Sequence, residues 1–158
     1  RQDHLRLELG TVQSSSRHRA PPRWRTDDPN ANLPTCPVFG VHYTDVVAHV
    51  RQAERVLLSV VVVGELLFGF RLGSRYTRNR KTLEAFLSSP YVDLLPVTWA
   101  TAERFSRVAA ALRSKGRPIP TNDIWIAAHA METGADLLSF DEHYSHVDGI
   151  AWVTPEHA

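Results

Sequence analysis

Three acidic residues stand where side chains could do chemistry. Glu65 follows the apolar run 56–63, Asp123 sits in Thr121-Asn122-Asp123 just after the proline-containing stretch 117–120, and Asp141 closes Leu138-Ser139-Phe140-Asp141. Carboxylates without a matching histidine or cysteine set select a hard ion, Mg²⁺ or Mn²⁺. Such an ion can polarise a phosphodiester, lower the pKa of water and stabilise a departing oxygen, so the chemistry these acids would serve is metal-dependent phosphodiester hydrolysis. Taken singly, an acid at such a position is more often a helix cap than a ligand, because the dipole and free amides of a first turn favour Asp and Glu. Gathering them is costly: two like charges about 4 Å apart repel by roughly 4 kcal/mol at an effective dielectric of 20. A compensating cation makes that tolerable.

The elements expected around these acids alternate between strand and helix. Residues 44–55 place Val46, Val47, Val50 and Ala53 on one helical face, and the run 56–63, with its β-branched and leucine content, suits a parallel strand buried on both faces. Helices are expected from near Gly64 and over 78–87, a second strand over 91–97, and an amphipathic helix over 100–114 with Phe105, Val108 and Leu112 inward. Thr121 is expected to cap a helix running to Thr133, with Gly134 ending it, before strands at 136–140 and 150–153. Short links and right-handed crossovers then give a parallel sheet covered by helices, an α/β class. In such a sheet strand ends and the following helix starts share one edge, which collects Glu65, Asp123 and Asp141.

Composition bounds the rest. The 158 residues are one domain's worth, and 43% hydrophobic with 22% charged residues is ordinary for a globular chain. Lys plus Arg number 18 against 17 acids, a net +1, so net charge alone would not hold nucleic acid. The single cysteine, Cys36, excludes an internal disulfide and suits a reducing cytoplasm. No run approaches the roughly 18 apolar residues of a membrane span. With Arg1 first and Met131 the only methionine, further sequence is expected upstream. Residues 1–40 hold half the prolines and no sustained period, and are expected to be loop or disorder; residues 41–158 are expected to form the domain.

Three segments in order carry a resemblance. Val63-Gly64-Glu65-Leu66-Leu67-Phe68-Gly69-Phe70, Ile119-Pro120-Thr121-Asn122-Asp123-Ile124-Trp125-Ile126-Ala127-Ala128 and Leu138-Ser139-Phe140-Asp141-Glu142-His143-Tyr144 resemble the successive motifs of PIN-domain ribonucleases, above all VapC-type toxins, over about residues 41–153. The resemblance implies a three-layer α/β/α sandwich around a central parallel sheet, a Mg²⁺- or Mn²⁺-dependent endoribonuclease acting on RNA, a cognate antitoxin and a homodimer. It also implies that Glu65, Asp123 and Asp141 are metal-site acids, with Thr121, Asn122 and Ser139 as supporting or substrate-positioning groups. The family's first strand, ending in an acid, is missing or divergent here. Asp28 in Asp28-Pro29-Asn30 is the nearest stand-in for that acid, although the two prolines and three arginines of 19–27 do not suit a buried strand. A PIN-like module that binds an antitoxin or RNA without cleaving is the alternative.

Arg71, Arg75 and Arg78 could meet RNA phosphates beside the acids, or simply form a solvated face. His129, His143 and His146 match no strong ligand motif and are expected to be structural or surface residues. Tyr144 and Trp125 could stack on bases, with core packing the commoner role for Trp125.

Overall fold

The computed structural model describes residues 11–13, 50 and 53–154. Strand β1 (Thr11–Gln13) is followed by β2 (Arg55–Ser59), helices α1 (Val60–Leu72) and α2 (Tyr76–Leu87), and β3 (Val92–Leu95). Helices α3 (Trp99–Ser114) and α4 (Thr121–Thr133), strand β4 (Asp136–Leu138), a 3₁₀ segment (Glu142–His146) and β5 (Trp152–Val153) complete the order.

The sheet order is β3-β2-β1-β4-β5. Strand β2 pairs parallel with β3, and β4 parallel with β5, while β1 runs antiparallel to both β2 and β4. Four strands therefore point one way and deliver their C-terminal ends to one edge; only the central strand is reversed. The expected α/β architecture is present, with two differences. A strand lies within the segment 1–40, expected to be loop, and it turns an all-parallel sheet into a mixed one.

Strand β2 is shorter than expected. Ser59, fully buried, accepts the Val61 amide at 3.1 Å through its hydroxyl and caps α1, so the helix begins at Val60 rather than near Gly64. The run of valines satisfies a strand and a helix pattern equally. What decides is that Val62, Leu66 and Phe70 fall on one helical face and enter the core. The helix expected over 44–55 stops earlier, because Arg55 belongs to β2; Val50 is helical and most of that stretch lies outside the described residues. Strand β4 ends at Leu138, two residues before the expected Phe140.

Helix α4 is the buried centre: Ile126, Ala127 and Ala128 are fully inaccessible, and Ile126 joins Leu58, Val108, Leu112 and Leu137 in the main core. Its cap is Pro120, not Thr121, and no side chain closes its first turn. Gly134, at φ 67°, adopts the left-handed conformation that turns the chain back into β4. Helix α3 is locked to α4 by a polar clamp. Thr98 and Thr101 form a reciprocal capping box and both hydroxyls donate to the Glu132 carboxylate. Burial works against ionisation of Glu132, but the two hydroxyls, with Arg104 and His129 nearby, outweigh it and hold the carboxyl below the usual range.

Candidate metal centre

The chain reversal at Gly134 sets the site. Helix α4 starts at the edge where β4 ends, so Asp123, in its first turn, comes beside Asp141, which caps the 3₁₀ segment three residues beyond β4. Both carboxylates are buried, at 5% and 8% exposure. Asp141 is held on two sides: its amide donates to the Ser139 hydroxyl, and its Oδ1 accepts the His143 amide, each at 3.0 Å. The imidazole of His143 lies between the acids, with Nδ1 2.9 Å from Asp141 Oδ1 and 3.1 Å from Asp123 Oδ2. One donor atom from each of the three residues lies within 4.8 Å of the others. Two oxygens and a nitrogen converging from a buried floor, roofed by a side chain still 43% exposed, fit a divalent ion reached from solvent.

Glu65 comes close without joining the trio. It projects from the second turn of α1, and its Oε1 accepts a 2.6 Å hydrogen bond from Asn122 Nδ2, the neighbour of Asp123. The three acids expected to meet are thus arranged as a tight pair, Asp123 and Asp141, with Glu65 beside them through Asn122. Ser139 is buried and acts on the backbone of Asp141, whereas Thr121 is exposed at the start of α4. Asp28 lies outside the described residues.

Several other candidates receive definite places. The Arg71 guanidinium lies 4.5 Å from the centre of the Tyr76 ring, and Arg75 and Arg78 are exposed at the start of α2. Tyr144 is 1% exposed, which rules out base stacking by its ring, and Trp125 stacks on Phe105 with ring centres 4.1 Å apart. His129 is buried against the Pro96 carbonyl at 3.1 Å. His143, expected to be structural or surface, is 43% exposed and faces both acids. The signal in the sequence is Asp-x-His, which puts the imidazole over the carboxylate when Asp caps a tight turn.

A model of the PIN domain matches residues 41–150. The chain belongs to the PIN-domain family. Among curated relatives, a ribonuclease VapC2 of Haemophilus influenzae is 34% identical over 89 residues, covering 56% of this chain and 66% of its own. Ribonuclease VapC5 of Mycobacterium tuberculosis is 29% identical over 100 residues, 63% of this chain and 74% of that one. The FitAcB structure from Neisseria gonorrhoeae overlays this PIN domain with a TM-score of 0.64 at 24% identity, covering 77% of this chain and 92% of that one. A VapBC-1 structure from nontypeable Haemophilus influenzae gives 0.58 at 25% identity over 63% and 74% of the two chains. The ribonuclease relatives support nuclease activity at the level of the family.

Proposed function

We propose that this PIN domain is a Mg²⁺- or Mn²⁺-dependent endoribonuclease of the VapC type, restrained by an antitoxin and acting in the cytoplasm as a homodimer. The observation that carries the proposal is the convergence of buried Asp123 and Asp141 with His143, beside Glu65, at one edge of a PIN-type sheet. When bound, the ion supplies positive charge against the phosphodiester and makes water a competent nucleophile near neutral pH. Asp123 and Asp141 would hold it, and their burial would strengthen each charge interaction by excluding solvent. Ser139 holds the Asp141 backbone and the His143 amide its carboxylate; Asn122 holds Glu65 by one oxygen, and the other can take a proton or hold water. Asp28 belongs to the proposed acids as the fourth, and Arg71, Arg75 and Arg78 as contacts to RNA phosphates. A structure described as a member of the VapBC family of toxin–antitoxin systems, 25% identical to this chain, supports the antitoxin partner.

The test is cleavage of an RNA substrate by the intact chain. Cleavage is expected with Mg²⁺ or Mn²⁺, none in EDTA, and a loss of at least 100-fold in Asp123→Asn. Cleavage that persists in EDTA or survives that substitution overturns the assignment.

Binding without cleavage is the alternative, and the reversed direction of β1 favours it. Strand β1 ends, at Gln13, on the edge opposite Ser59 and Ser139, whereas a parallel central strand would end beside them. Saturable RNA or antitoxin binding with no turnover in either metal would select this function.

A further inference from the structure

Resting on the metal centre proposed above, we propose that His143 is itself a ligand of the divalent ion, and that its nitrogen biases the site toward Mn²⁺ over Mg²⁺. Two observations carry this. First, Nδ1 rather than Nε2 faces inward, and it meets both acids at once, 2.9 and 3.1 Å from one oxygen of each. Neighbouring ligands of a six-coordinate ion with bonds of about 2.1 Å are separated by about 3 Å. The spacing of Nδ1 from both oxygens therefore equals two edges of such a shell. Second, the backbone that carries the imidazole is held in place: the His143 amide is tied to Asp141 Oδ1 at 3.0 Å, in a segment fastened by the fully buried Tyr144.

A nitrogen donor changes selectivity. Mg²⁺ favours oxygen ligands and water, whereas imidazole is accepted more readily by Mn²⁺ and later transition ions. An all-carboxylate site would not make this distinction. The oxygen-only donor set expected from the sequence is thereby replaced by a mixed one.

The experiment is Mn²⁺ titration of the full-length, RNA-free chain followed by electron paramagnetic resonance, with electron spin echo modulation on the bound ion. Wild-type protein is expected to bind Mn²⁺ saturably, to lose binding in Asp123→Asn, and to show ¹⁴N modulation that shifts to ¹⁵N frequencies when histidine is ¹⁵N-labelled. His143→Gln, which keeps an oxygen ligand in reach, is expected to abolish the modulation and to reduce the Mn²⁺-over-Mg²⁺ preference by about tenfold. Mn²⁺ bound in an Asp123-dependent manner without histidine nitrogen coupling, or coupling retained in His143→Gln, overturns the role of His143 and leaves the metal centre standing. Absence of saturable Mn²⁺ binding by wild-type protein overturns both. The labelled wild-type measurement needs no substitution, so it decides the matter even if His143→Gln fails to fold.

Discussion

Removing one acid from the pair should strengthen the metal-free protein while abolishing its response to metal. Asp123 and Asp141 are buried, with ligand oxygens no more than 4.8 Å apart. Two full charges at that distance repel by about 3.5 kcal/mol at an effective dielectric of 20. Part of this is offset by the hydrogen bonds that both acids accept from His143, and part by solvent entering beside its exposed ring, leaving about 1–2 kcal/mol to be recovered. Asp123→Asn keeps the shape and an acceptor oxygen for His143 while removing one charge. For a domain of this size each kcal/mol moves the melting temperature by roughly 3–5 °C. In EDTA, Asp123→Asn should therefore melt several degrees above wild type. In millimolar Mn²⁺ the order should reverse or close, because only the wild type gains binding energy from the ion. Differential scanning fluorimetry at pH 7.5 with and without metal reads both effects. A variant that melts below wild type in EDTA, or that retains the metal-induced rise, would refute the idea that these two carboxylates are held together at a cost for the sake of a cation.

Asn122→Ala removes the donor that holds Glu65 and should lower kcat for RNA cleavage roughly 10-fold or more with little change in KM or melting temperature; steady-state kinetics separate the two. Glu132→Gln tests the clamp between α3 and α4. Because the folded pKa of Glu132 lies below its unfolded value, its contribution is present above about pH 4.5 and is lost as pH falls through the folded pKa. The gap in urea stability between wild type and Glu132→Gln should accordingly shrink below pH 4.5. Ile126→Ala empties a fully buried position at the centre of the sandwich and should cost about 2–5 kcal/mol in chemical denaturation, with the metal-binding stoichiometry of the surviving folded protein unchanged.

Much of the fold was legible because periodicity is local. Helix α4 ends where the sequence places it, since Gly134 supplies a left-handed residue and the loop before Pro120 cannot be helical. The same local signals misplace the start of α1. Four successive valines suit either a strand or a helix, and the choice of helix from Val60 depends on the Ser59 cap and on Val62 finding Leu66 and Phe70 on one face. The direction of β1 was not legible either, because pairing direction is a property of neighbours, not of Thr-Val-Gln.

From β2 onward the sequence by itself determined the order of strands and helices and the residue types at their junctions, and hence that Asp123 and Asp141 would arrive at one edge. Each depends only on hydrophobic spacing and on turn residues acting within a few positions. The tertiary structure alone decided that Asp123 and Asp141 form the tight pair, that Glu65 stands beside them through Asn122, and that His143 turns inward over both. These are matters of a few ångströms between segments distant in sequence, settled by how α1, α4 and the 3₁₀ turn pack, which no local pattern encodes.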